Sequence, residues 1–320
     1  LELELKESFS GIRIQSFIGD VRNLSRMQQL FELYNPNYVY HAAAYKHVPV
    51  MEDHPIEAIL NNVMGTKHIA ELSVQFGVEK FVMISTDKAV NPTNVMGASK
   101  RIAEIYTQSL NNYLQYPDTG NKYFANFPKG GRTRFITTRF GNVLGSSGSV
   151  IPRFKMQIEK GGPVTVTHPE ITRYFMTIPE ACQLVLEAGS MGNGGEVFAF
   201  DMGKSVKIAD LAKRMISLSG LSLGKDITII YTGLRPGEKL YEELLNDAEN
   251  TLLTYHEKIM IARVTEYDFD TINLQVNELI KLAHSNEEKA IVSKMKCIIP
   301  EYISNNSVFE DLDREMVSVV

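Results

Sequence analysis

The sequence predicts an α/β fold, a doubly wound parallel sheet followed by a smaller C-terminal lobe, on three observations. Short apolar, β-branched runs alternate with longer segments whose apolar residues recur at three and four positions. Each run is bounded by a turn or polar signal, the pattern of strands covered on both faces. After "GNVLGSSGSVIPRF" the elements become shorter and richer in Gly and Pro.

Taken in order, "LELELKESF" alternates like a strand at Leu1, Leu3 and Leu5, yet Leu1, Leu5 and Phe9 suit a helix, which is the expectation. Strands are expected in "IRIQSFIGD" (12–20), "NYVYHAAA" (37–44), "KFVMISTD" (80–87) and "RFITTRFG" (134–141). Helices are expected in 23–34, 55–77 and 94–114, from their apolar spacing. "YPDTGNKYFANFPKGG" (116–131) reads as a surface excursion. Residues 1–145 then form the first domain and 146–320 the second lobe and tail, with the segment near 172–190 returning to the first. In that second part "TRYFMTIPEACQLVLEAG" (172–189) and "IADLAKRMISLSG" (208–220) read as helical hairpin-like pieces. "GEVFAFDMG" and "DITIIYTG" read as strands, and the tail from Asn273 as amphipathic helix and polar loop that ends loosely.

Composition narrows the function. A net charge of −5 over 320 residues argues against a nucleic-acid or anionic-membrane surface, which would need clustered Lys and Arg in excess. Cys182 and Cys297 stand far apart, so neither a disulfide framework nor a CxxC site is available, which fits a reducing compartment. The 7 histidines lack metal-ligand spacing, so no metal is expected. No apolar run approaches the roughly 20 residues that span a bilayer, and a cytoplasmic location without membrane contact from this segment is expected.

"STDKAVNPTNVMGASK" (85–100) carries the chemistry. Ser85, Thr86, Asp87 and Lys88 follow a strand and so emerge at its carboxyl end, where open α/β sheets place ligands. An acid beside an amine there is poised for proton traffic, although a lone Asp-Lys pair is ordinarily a surface ion pair. Lys100 sits four residues after Met96, whose thioether can neither give nor take a proton. The small residues of "HAAA" would let a dinucleotide approach closely, and an Asp after a strand, as in "GD" at Gly19–Asp20, can hydrogen-bond an adenine amino group.

With "NNVMGT" (61–66), these pieces resemble the extended short-chain dehydrogenase/reductase pattern, Rossmann-like in fold. "TTRFGNVLGSSGSVIPRF", "GGPVTVTHPEITRYFMTIPEACQLVLEAG" and "LRPGEKLYEELL" narrow the resemblance to the nucleotide-sugar 4,6-dehydratases of bacterial polysaccharide biosynthesis, the CapD/WbpM/PglF-like group, over nearly the whole chain. The resemblance implies a UDP-N-acetylglucosamine 4,6-dehydratase with bound NAD, a UDP-sugar substrate and a homo-oligomeric assembly. Its reaction is an internal redox cycle of C4 oxidation, loss of water across C5 and C6, and hydride return to C6. Carried over by position, Lys88 is the C5 base, Asp87 the C6 acid and Thr86 a partner of the C4 hydroxyl, while Lys100 holds the nicotinamide ribose. In that family methionine at the place of Met96 marks the membrane-anchored branch, so the resemblance implies the cytoplasmic domain of an inner-membrane protein.

The resemblance places NAD against Asp20, Val21, Ala42, Ala43, Ala44, Lys46, Asn62, Ser85 and Lys100, and substrate against His47, Asn142, Arg173, Arg235 and Glu238. Arginine suits a diphosphate because its planar fork pairs two oxygens, although either arginine taken alone reads as a solvated surface residue. A base in the place of Lys88 is expected to have its pKa drawn down towards about 7 to 8. The family's opening strand and glycine turn have no counterpart before Gly19, so the first β-α-β unit is expected to be missing and cofactor binding weakened. Two other readings stay open: a nucleotide-sugar 4-epimerase, which needs proton transfer at C4 only, and a catalytically silent fragment serving as an interaction module.

Overall fold

The computed structural model describes residues 2–115, 133–243, 245 and 251–317. The expected excursion at 116–131 lies outside the described residues.

Six strands form the central sheet in the order Tyr38–His41, Lys80–Ile84, Arg134–Arg139, Val197–Phe200, Ile259–Ala262 and Thr251–Leu253. The first three junctions are parallel and the last two antiparallel. Alternation along the strands feeds two cores. Phe81, Met83 and Phe135 pack with Ile59, Val63, Ile102 and Ile105 of the helical segments Pro55–Gln75 and Val95–Gln115. Val82 and Ile136 face the other side, with Ala181, Leu184 and Ala188 of the helix Ile178–Met191. A third cluster, built on Phe154, Val164, Ile208, Ala212 and Ile227, is the core of the second lobe.

The expected boundary at 145 does not separate two contiguous halves. Val197–Phe200 and Ile259–Ala262 join the first sheet because their apolar residues find cover there, and Thr251–Leu253 pairs at its edge with its leucines exposed. The second lobe is therefore inserted between strands of the first. Helix 178–191 also returns to the sheet, but 172–176 are two short strands rather than helix. The helix can begin only where Thr177 caps it, accepting the Glu180 N–H at 3.3 Å, with a proline in its first turn.

The expected strand at 12–20 is a second correction. These residues form no strand, and Ile12 and Ile18 are exposed. A period-two apolar pattern becomes a strand only beside a partner, and among the described residues the Tyr38–His41 strand is paired on one edge alone.

The tail is not loose up to Phe309. Helices Phe269–Ser285 and Glu288–Ile298 cover the outer faces of Val95–Gln115 and of the segment around Pro55–Met64, faces that could otherwise pair with a second copy. Residues 303–307 then strap the second lobe to the first. Ile303 and Asn305 donate backbone N–H groups to Pro92 and Thr93 at 3.2 Å each, and Ser307 Oγ donates to Glu52 at 2.6 Å. On the other side Asn305 O accepts the Gly237 N–H at 2.8 Å, and Asn306 Nδ2 donates to Leu234 O at 2.7 Å. No helix among the described residues is long and apolar enough to cross a membrane.

Candidate active site

The segment after the Lys80–Ile84 strand is fixed before any side chain acts. Ser85 and Asp87 donate their N–H groups to Thr138 O and Phe140 O at 2.7 and 3.2 Å, so the chain leaves the sheet in register with its neighbour strand. Residues Asp87–Ala89 form one tight 3₁₀ turn. The following helix starts where Asn94 Oδ1 accepts the Gly97 N–H at 2.7 Å and Glu52 accepts that of Val95 at 2.5 Å.

Gly97 is what lets helix and turn meet. A Cβ on Gly97 would lie 2.1 Å from the Lys88 carbonyl oxygen, with backbone on both sides of the contact. Gly97→Ala is expected to displace the Lys88 turn and to cost about 1–3 kcal/mol of stability. A melting curve that matches the parent's would contradict this.

The turn opens on a cavity of about 460 Å³ between the lobes, walled by Ser85, Thr86, Lys88, Met96, Lys100 and Asn142 on one side and by Arg173, Arg235, Glu238 and Glu242 on the other. Ala42, Ala44, Lys46 and His47 also line it. Asp87 does not: it is 1 % exposed and sits behind Thr86 and Lys88. Its Oδ1 accepts from Thr86 Oγ1 at 2.8 Å and from Lys88 Nζ at 3.0 Å, while Oδ2 is buried without a hydrogen-bond partner.

Lys88 is held by three acceptors. Its Nζ lies 3.0 Å from Asp87, 3.3 Å from Asn142 Oδ1 and 3.3 Å from Glu242 Oε1. Burial alone would lower its pKa, but the carboxylates of Asp87 and then Glu242 outweigh that, and the pKa is raised above the ordinary 10.5. The expected drop towards neutrality is thus overturned, because carboxylates, not cations, dominate the surroundings of Lys88. Lys100 behaves the opposite way. It is buried, makes no hydrogen bond or ion pair among the described residues, and burial brings its pKa down to about 8 against a modest pull from Glu104.

Other expected residues fall into place unevenly. Asn62 is fully buried and braces the loop that carries Tyr45, accepting its N–H at 2.7 Å and donating to its carbonyl at 3.0 Å and to Ser99 at 2.9 Å. Its amide therefore shapes the cavity from behind. Asp20 lies outside the cavity, half-exposed and forked to Arg22 at 2.7 Å. Val21, Ala42 and Ala43 line a separate groove beside the Tyr38–His41 strand.

Arg173 is not a free phosphate clamp. Its fork donates to Thr172 O at 2.7 Å, Lys239 O at 2.9 Å and Glu238 at 3.3 Å, and its Nε lies 3.5 Å from Glu242. It folds the 238–242 segment. Glu238 is likewise occupied, between Arg173 and Arg235. Arg235, half-exposed, keeps its guanidinium partly open to the cavity.

Sequence reasoning missed Glu242, Gly97 and the buried carboxylate of Glu104. The only sequence signal for Glu242 was its place four residues after Glu238 in "GEKLYEE".

For a dinucleotide, the fit is partial. The unpartnered Lys100 ammonium on the cavity wall suits the hydroxyls of a ribose, and the alanines at 42 and 44 leave room beside it. The glycine turn at the cavity, Gly145–Gly148 with both glycines at positive φ, leads into the helix Val150–Glu159 and lies beside Lys46 and His47, but it follows Asn142–Val143 and not a strand of the central sheet.

Comparison with known proteins decides the family. A model described as "polysaccharide biosynthesis protein" matches residues 1–264. The chain belongs to the polysaccharide biosynthesis protein family. Within it, the chain is 54% identical over 278 residues to the capsular polysaccharide biosynthesis protein CapD of Staphylococcus aureus, covering 87% of this chain and 44% of CapD. The chain thus spans less than half the length of that relative. It is also 34% identical to a UDP-N-acetylglucosamine 4,6-dehydratase (inverting) of Campylobacter jejuni, over 79% of this chain and 69% of that one. A UDP-glucose 4-epimerase of Rickettsia rickettsii is 36% identical, over 77% and 66%. The X-ray structure of Pen from Bacillus thuringiensis superposes with a TM-score of 0.70 at 33% identity, over 86% of each chain. This member of the polysaccharide biosynthesis protein family has the extended short-chain dehydrogenase/reductase fold, and its relatives include a nucleotide-sugar dehydratase and an epimerase.

Proposed function

We propose that this chain carries the catalytic site of a UDP-N-acetylglucosamine 4,6-dehydratase that uses NAD and serves bacterial surface-polysaccharide synthesis. The observation that carries the reading is an amine on the cavity wall, Lys88, paired at 3.0 Å with a buried carboxylate, Asp87, beside a methionine where a phenol would serve simpler oxidoreductases. A dehydratase needs two proton-handling groups beyond those of C4 oxidation, and this pair supplies them.

NAD, when bound, supplies the hydride acceptor at C4 and donor at C6. Lys100 orients its nicotinamide ribose. Thr86 Oγ1, hydrogen-bonded to Asp87 at 2.8 Å, passes the C4 hydroxyl proton inward, so Asp87 takes part without lining the cavity. Lys88, once its proton has moved to a neighbouring carboxylate, removes the C5 hydrogen that the 4-keto group has acidified. The proton gathered at Asp87 leaves by way of Thr86 with the C6 hydroxyl as water, and the Lys88 ammonium formed at C5 would give its proton back to C5 as hydride returns to C6. Arg235, at the mouth, is the group best exposed to meet a diphosphate.

The ammonium form of Lys88 favours a second reading, a 4-epimerase, in which C5 is untouched. Mass and proton NMR analysis of UDP-N-acetylglucosamine incubated with the protein and NAD separates them. A product lighter by one water with a new C6 methyl signal supports the dehydratase, a C4 epimer of unchanged mass supports the alternative, and recovery of unchanged substrate overturns both.

A further inference from the structure

Glu242 sits on the substrate-lobe side of the cavity, 3 % exposed at its side chain, and meets the catalytic turn at Lys88. Its Oε1 faces Lys88 Nζ at 3.3 Å and Arg173 Nε at 3.5 Å; its Oε2 is buried and has no hydrogen-bond partner among the described residues. Arg173 cannot neutralise it alone, since that guanidinium also serves Glu238 and three backbone carbonyls. We propose that Glu242 is the positioning residue of Lys88: reaching across from the second lobe, it pins the ammonium to the cavity wall and keeps its proton in place. The assignment rests on Lys88 being the base of the reaction proposed above.

The charged groups around Lys88 come from every wall. Its own turn gives Asp87, the second lobe gives Glu242 and Arg173, and the helix behind gives Lys100, which lines the same cavity. Asn142, from the end of the neighbouring strand, adds a neutral acceptor. Asp87 is bonded through its own turn and cannot choose where Lys88 points relative to the opposite lobe. Glu242 can, because it is the carboxylate that reaches the amine from across the cavity. Removing its charge while keeping its shape leaves Asp87 as the only carboxylate partner and Lys100 and Arg173 as opposing cations, so the Lys88 proton becomes easier to lose.

The test reads Lys88 directly, by amine-selective acetylation of the full-length protein followed by peptide mass spectrometry across a pH series. In Glu242→Gln the midpoint of Lys88 labelling is expected to fall by at least about one pH unit, a tenfold change in proton affinity, with melting unchanged. Because Lys88 acts as a base only when neutral, the acid limb of turnover should move the same way, towards lower pH. If Glu242→Gln fails to fold, Glu242→Asp, which keeps the charge but draws it back, is expected to show a smaller fall. A midpoint unmoved in the folded variant overturns the proposal. The labelling shift without any water loss from substrate would keep the role of Glu242 and sink the dehydratase reading instead.

Discussion

Lys88→Arg is expected to lower turnover in the water-elimination reaction by about two to four orders of magnitude, the usual worth of a general base. Arginine keeps the positive charge between Asp87 and Glu242, so the buried carboxylates stay paired and the fold is retained. What it lacks is a neutral form, since its guanidinium holds its proton at every accessible pH. The substitution therefore removes proton abstraction while preserving electrostatics, which a change to alanine would not do. Steady-state kinetics of product formation, with a melting curve as control, give the result. Turnover within tenfold of the parent would mean that another group removes the C5 hydrogen.

Glu104→Ala is expected to be the most destabilising single change, by about 3–5 kcal/mol, because it strands buried guanidinium charge. Glu104 and Arg139 are both fully buried, joined at 2.9 and 2.7 Å, and Arg101 adds a contact at 3.1 Å. Burial would push the Glu104 carboxyl up, but Arg139 and then Arg101 outweigh it and bring its pKa from 4.5 down to about 2. A depressed carboxylate stabilises the folded state above its unfolded pKa and loses that contribution as pH falls through the folded one. Stability should therefore fall between pH 4.5 and about 2, and the isosteric Glu104→Gln should lack that part of the slope. Denaturant melts at a series of pH values check both. Equal acid slopes in parent and Gln variant would show that this pair is not titrating as described.

The inner strands Lys80–Ile84, Arg134–Arg139 and Val197–Phe200 were legible because they are covered on both faces, so their apolar runs stand out whatever lies next to them. The segment 12–20 carried the same signal and did not become a strand, since hydrogen-bond partners are a property of neighbours and not of a run. Within the site, Lys88, Met96 and Lys100 line one cavity, as their spacing suggested, because one strand end and one helix fix them locally. The charge state of Lys88 was not legible. It depends on Glu242, which arrives from a distant part of the chain, and a sequence does not say which of 38 acidic residues will arrive. Arg173 misled for the same reason: its residue type suits phosphate, but its donors are taken by the carbonyls of a loop folded around it.

The strap at 303–307 gives the cavity a property that neither lobe has alone. It bonds to Pro92 and Thr93 on one bank and to Leu234 and Gly237 on the other, close to the loop bearing Arg235. Pulling the banks apart would have to rupture these links one after another, as a zip fails from one end. Ligand traffic that avoids that rupture has to use the opening that is already there, lined by the exposed Lys46 and Arg235, so an anionic ligand meets two cations on its way in while the lobes stay fastened.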